Sequence, residues 1–250
     1  MRLLTTLLVA LCLALPASAD NSWLLAHHPQ GAAAVTATYV AFTSIDGPSV
    51  TNPASSVVSF VPGTTTNGDL IACETFANTG DSLTMSLTAS THAFTKVTGS
   101  FTNANYGIVV SIYYALIGTG DASTHTITYT NVTGTEFPGF NCVIYRGPTS
   151  VSAIKASAPT LFTTTITLGS YTPTAGALGQ IALIMNGSHG TGSPITAAGW
   201  NVRATDNGTA FWSGTEADIL PGPTGNAGTF GTYTIGSGGS LFGATVDLIP

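Results

Sequence analysis

The sequence predicts an all-β protein, a two-layer antiparallel, jelly-roll-like sandwich built from two related halves. Three observations predict it. Only 16 of 250 residues are charged, while Thr supplies 42 and Gly 29, which removes salt-laced helices and charged disordered chains, both of which depend on Lys, Glu and Arg. Thr, Val, Ile, Tyr and Phe recur in runs of five to ten residues that alternate apolar with polar, the pattern of strands with one buried face. Between the runs fall clusters of Gly, Asn and Asp, which supply turns.

From the N-terminus, Arg2, the apolar run Leu3 to Leu15 and Pro16-Ala17-Ser18-Ala19 form the three parts of a signal peptide over residues 1–19. The run is shorter than the roughly 20 apolar residues of a membrane span, so the mature chain is expected to have none and to be secreted, periplasmic or held at the cell surface. Removal of Arg2 leaves four basic side chains against eleven acids, a balance that disfavours nucleic acid as a partner. Residues 20–54 are read as an N-terminal segment with the first strand, and 55–250 as one sandwich domain. The clearest strands are Val35 to Thr43, Tyr106 to Ile117, Thr124 to Thr130, Thr163 to Leu168 and Thr229 to Ile235, with turns at Asp46-Gly47-Pro48, Asn67-Gly68-Asp69, Gly118 to Asp121 and Asp206-Asn207-Gly208. Thr suits such strands because its branched side chain fits a pleated surface while its hydroxyl keeps an outer face wet.

A faint internal repeat divides the domain into halves of about 55–148 and 165–250. Ser59-Phe60-Val61-Pro62 matches Ser170-Tyr171-Thr172-Pro173, Gly68-Asp69-Leu70 matches Gly176-Ala177-Leu178, Phe94 falls against Trp200, Thr128-Tyr129-Thr130 against Thr232-Tyr233-Thr234, and Phe140 to Pro148 against Phe242 to Pro250. The separation shortens steadily along the chain, as loop-length differences between related halves would make it. Residues Gly147 to Pro159 are expected to be the crossing between halves, and the last match sets Cys142 opposite Ala244.

The order Gly68-Asp69-Leu70, Phe94-Thr95-Lys96-Val97, Ile112-Tyr113-Tyr114-Ala115, Thr126-Ile127-Thr128-Tyr129 and Val143-Ile144-Tyr145-Arg146-Gly147 resembles β-sandwich modules of secreted bacterial proteins and of phage tail or other virion-associated proteins. The resemblance covers most of residues 55 to 250. It implies the fold and an extracellular or particle-surface setting, and it carries no catalytic residues. Where related modules often have Glu before Tyr-x-Gly, this chain has Ile144.

For chemistry, no G-x-S-x-G, P-loop or G-x-G-x-x-G occurs, which removes the common serine-hydrolase and nucleotide-binding classes. The histidines, His27-His28, His92, His125 and His189, show no metal-ligand spacing, and no cofactor is expected. Calcium is the alternative, resting on Asp46, Asp81, Asp121 and Asp206, residues that also simply form turns. No catalytic site is expected. The best candidates are Glu216 and Asp218, which strand alternation puts on one face, as sandwich-type retaining glycosidases require. Those enzymes carry a further Glu two residues on, where Leu220 stands, so a solvated strand face or loop edge is the simpler reading. For ligand binding, Tyr113, Tyr114, Trp200 and Trp212, with Tyr106, offer rings on which sugars stack. Cys73 and Cys142 lie in short apolar runs, and a disulfide between them and two unpaired core thiols both remain open.

The expected function is therefore non-enzymatic: adhesion, or a structural role on a cell surface or virion, with surface glycans or like subunits as partners. A carbohydrate-binding module is the first alternative and a glycan hydrolase the second.

Overall fold

Thr- and Val-rich runs pair into antiparallel ladders throughout the described residues. The computed structural model describes residues 35–46, 56–60, 65–78, 83–88, 93–98, 101–103, 108–118, 125–131, 139–161, 163–186, 191–193, 199–206, 213–222, 225, 228–234 and 240–250. Among them there are nineteen strands and no helix, and all described residues belong to one compact unit, Val35–Pro250. The proposed signal peptide, His27, His28, His92, His189, Asp81, Asp121, Tyr106 and Trp212 lie outside the described residues.

One six-stranded sheet contains β1 (Thr38–Asp46), β3 (Leu70–Asn78), β5 (Thr95–Lys96), β6 (Phe101–Asn103), β7 (Ile108–Leu116) and β9 (Gly139–Arg146). Its order is β1-β9-β3-β7-β5, with β6 also on β7. A second six-stranded sheet contains β10 (Ser150–Val151), β11 (Ala156–Leu161), β13 (Gly179–Asn186), β15 (Asn201–Asp206), β16 (Ser213–Ile219) and β19 (Ser240–Ile249). Its order is β10-β19-β13-β16-β15, with β11 also on β19. Smaller ladders join β2 (Ser56–Phe60), β8 (His125–Asn131) and β4 (Leu83–Thr88), then β12 (Ile166–Leu168) with β17 (Gly228–Phe230), and β14 (Thr191–Ser193) with β18 (Thr232–Thr234).

The two large sheets are wound alike. An edge element precedes the last strand of each half, which pairs with the first long inner strand, then with the penultimate long strand, then with a short strand. The stretch expected to be a plain crossing, Gly147 to Pro159, instead supplies β10 and most of β11, an interrupted edge strand on β19. Pro159 explains why it was not legible: it lacks an N–H and is tolerated in a sheet only at an edge. The run Thr229 to Ile235 is likewise divided, because Gly231 at φ 98° breaks it into two strands with different partners.

Successive residues of β3 and β9 point into different clusters. Leu70, Ala72, Val143 and Tyr145 join Ile181, Leu183, Ala244, Val246 and Leu248 of the second sheet. Ile71, Cys73, Cys142 and Ile144 join Tyr113, Ala115 and Ile117 on the other face. On the far face of the second sheet, Ala182, Ile184, Ala217, Ile219 and Leu241 pack with Ile166, Leu168 and Phe230 of the β12–β17 pair. The large sheets are therefore buried on both faces, and their strands read as continuous apolar runs in place of strict alternation. These clusters also correct the residue match between β9 and β19, since Cys142 and Ala244 lie in different clusters. A slip of one residue moves every side chain to the other face. At the front of each half the match agrees better: Gly68 and Gly176 both take positive φ, and Leu70 and Leu178 both pack in the shared cluster.

The motif residues quoted for the resemblance hold strand ends together. Arg146 donates from Nε and Nη2 to the two oxygens of Asp69 at 2.9 and 3.0 Å, and Asp69 also accepts from the Thr66 amide at 2.8 Å. Gly147 follows with φ 108°, and a Cβ there would stand 2.1 Å from the Thr36 carbonyl oxygen, so the chain passes too closely for any side chain. Tyr171, in the repeated Ser170 to Pro173 segment, donates to Asp247 of β19 at 2.9 Å.

Candidate functional site

Alternation along β16 places Ala217 and Ile219 against β12 and β17, and so turns Gly214, Glu216 and Asp218 to the opposite face, toward β9. Both carboxylates are fully buried, at 0% exposure. The expectation of a solvated strand face or loop edge is corrected by this burial, because a strand with both faces covered leaves no solvated side.

The two acids meet one hydroxyl. Tyr145 Oη is hydrogen-bonded to Glu216 Oε1 and lies 2.9 Å from Asp218 Oδ2. A hydroxyl has one proton and cannot donate to two carboxylates. The arrangement closes when Glu216 is the neutral acid and donates to Oη, while Tyr145 donates to Asp218. Burial, followed by the charge of Asp218, pushes the Glu216 carboxyl up to about 8, against the opposing effects of the Tyr145 bond and Arg203. Tyr145 is itself raised well above the usual phenol value, first by burial and then by the two acids. Oε2 of Glu216 has no hydrogen-bond partner among the described residues.

Asp218 carries the negative charge and is well supplied with donors. Arg203 on β15 donates from Nε at 2.8 Å and Asn201 makes a longer contact at 3.4 Å. The Arg203 guanidinium sits 5.5 Å from the centroid of Tyr39, and Tyr39 meets Tyr145 edge to face at 6.0 Å. Tyr39 and Arg203 line a hollow of about 400 Å³ with Thr36, Thr38, Leu220 and Pro221, between the edges of β1 and β15. The Leu220–Pro221 peptide is cis.

A second buried polar group lies nearby in sequence register. Glu74, on the same face of β3 as Leu70 and Ala72, is opposite Asn141 on β9. Both Glu74 oxygens and Asn141 Nδ2 lack partners among the described residues, and burial raises the Glu74 carboxyl well above its usual range. Asn141 fits only because residue 214 is Gly: an added Cβ would lie 2.0–2.3 Å from its Oδ1, Cγ and Nδ2 atoms. Gly214→Ala is expected to cost about 1–3 kcal/mol by overpacking, read as a lowered unfolding midpoint, and Asn141→Ala in the same chain is expected to recover part of it. A Gly214→Ala protein as stable as the parent would contradict this close packing of β9 on β16.

The other sequence candidates are dispersed. Tyr113 is 6% exposed in the cluster around Cys73, with Lys96 5.9 Å from its ring centroid, and Trp200 is 6% exposed against Phe230. Tyr114, on the opposite face of β7 from Tyr113, is half-buried and lines a smaller hollow of about 270 Å³ with Thr95, Leu116 and Thr149. Asp46 ends β1 and Asp206 ends β15. Among the described residues no three His, Cys, Asp or Glu are grouped to hold a metal ion. Cys73 and Cys142 form a disulfide between neighbouring strands, at directly opposed positions, inside the outer cluster of the first sheet.

Sequence reasoning missed Tyr39, Tyr145 and Arg203. Arg203 was detectable as one of few cations in the chain, on a strand two residues after Asn201. Nothing local placed Tyr145 opposite Glu216, which is 71 residues away. Compared with protein-family models, with curated proteins and with solved structures, the chain matches none.

Proposed function

We propose that this chain is an exported, non-enzymatic protein that acts in adhesion or as a structural component of a cell surface or virion. The observation that carries the reading is the burial of Glu216 and Asp218 between two sheets. A glycosidase needs its acids on either side of a bound sugar. Here they are closed off from solvent and joined through one tyrosine, so they serve cohesion. A buried disulfide and a nearly charge-free composition fit an oxidising exterior.

The architecture we propose for that role is a pair of related jelly-roll-like sandwiches. The order β1-β9-β3-β7 with β2-β8-β4 supports a jelly-roll winding, and the like order of the second large sheet, with β12–β17 and β14–β18 as its smaller partners, supports a second one. In this layout the three-stranded sheet covers the Cys73 cluster as β12–β17 covers the far face of the second sheet.

The test combines light scattering of the purified protein at micromolar concentration with its depletion from solution by insoluble polysaccharides and cell envelopes. Self-association or saturable depletion, with no reducing sugar released, is the expected result. Release of reducing ends that Glu216→Gln abolishes would replace this reading with the hydrolase.

A further inference from the structure

The Glu216–Tyr145–Asp218 cluster is not required by the fold. The strands that oppose one another near it are β9 with β16 and β1 with β15 and β16. The repeated strand order makes β7 the counterpart of β16, β5 that of β15, and β10 that of β1. At that other edge β10 meets β7, and the inward side chains are Ile112, Tyr114, Leu116, Val246 and Leu248. Apolar packing therefore closes one edge, while the other contains two acids and a cation at a substantial desolvation cost. A hollow lies at each edge, but the one lined by Thr95, Tyr114, Leu116 and Thr149 has no charged side chain.

The buried cluster acts on Arg203. Its Nε is held at 2.8 Å by a fully buried carboxylate and its plane lies near the Tyr39 ring, so the side chain is fixed before anything binds. Its Nη atoms have no hydrogen-bond partner among the described residues, and the side chain keeps 33% exposure where it lines the hollow. Asp218 balances its charge. An anion entering the hollow would gain little from a neutralised cation and would meet a chain of net charge −6. A neutral ligand with adjacent hydroxyls can accept from the planar Nη fork and use the Thr36 and Thr38 hydroxyls, while its C–H face lies on Leu220 and Pro221.

We propose that the hollow between β1 and β15 binds a neutral hexopyranose unit of a glycan, with Arg203 as its principal donor. This deepens the adhesion reading and rests on it. The chain contains three arginines, Arg2, Arg146 and Arg203, so the Nε–H signals in a ¹H–¹⁵N spectrum resolve the site directly. Glucose, galactose, mannose and N-acetylglucosamine are titrated in turn, with sodium phosphate and sodium acetate as separate arms. With at least one sugar the Arg203 signal is expected to move saturably while Arg146, held by Asp69, stays in place. Thr36→Trp, which fills the hollow from an exposed position, is expected to weaken that response about tenfold or more. If no sugar moves Arg203, if only the anions do, or if a folded Thr36→Trp protein responds unchanged, the proposal is overturned. Should Thr36→Trp lower the unfolding midpoint, the parent titration alone decides. Depletion by envelopes without an Arg203 response would leave adhesion standing and remove this site.

Discussion

Glu216→Gln is expected to raise the unfolding midpoint above about pH 8 while changing it little near pH 4. The Glu216 carboxyl rises from its ordinary 4.5 to about 8 on folding, mainly through burial. Between those values the folded chain holds a proton that the unfolded chain has released, so stability falls as pH rises. The contribution is fully present below about pH 4.5 and is lost through about pH 8, a change on the order of 5 kcal/mol. Glutamine imitates the neutral acid, since its amide can donate to Tyr145 Oη where the carboxylic proton did. Glu74, also raised by burial, adds a slope of the same sign that Glu216→Gln leaves in place. Thermal unfolding of parent and variant across pH checks this. Parallel curves would mean that Glu216 does not hold the proton. Asp218→Asn, by contrast, weakens the bond to Arg203 and is expected to destabilise the fold.

Removing the disulfide by the double substitution Cys73→Ala, Cys142→Ala is expected to lower stability by about 4 kcal/mol, through the entropy of a released loop of 69 residues. Denaturant unfolding of parent and variant measures it, and coincident transitions would contradict it. Because both sulfurs lie in a fully buried cluster, dithiothreitol is expected to leave the bridge intact in the native protein and to reduce it once denaturant opens the sheet. Thiol titration with and without denaturant separates the two states.

The all-β class was legible because Thr-rich alternation and Gly turns are local signals. Ile108–Leu116 and His125–Asn131 lie close to where periodicity put them. The central strands were harder to read for a physical reason: Leu70 to Glu74 and Asn141 to Tyr145 are buried on both faces, and a strand without a wet side has no alternation to detect. The site was half legible. Alternation correctly put Glu216 and Asp218 on one face, but which face was covered depended on strands far away in sequence. The same limit applied to Tyr113 and Trp200, whose aromatic character suits both a sugar platform and a core, and whose burial was decided by Lys96, Phe230 and the neighbouring strands.

Two identical subunits meeting through such sheets would carry every substitution twice, once at each edge of their contact. In this chain the two edges belong to one polypeptide and are encoded separately. One carries an oily seam of Ile112, Val246 and Leu248, while the other holds Glu216, Asp218 and Arg203. Separate encoding lets either edge be substituted without the other, so a costly ionic cluster is borne once per molecule and any ligand it serves is met by a single, oriented site.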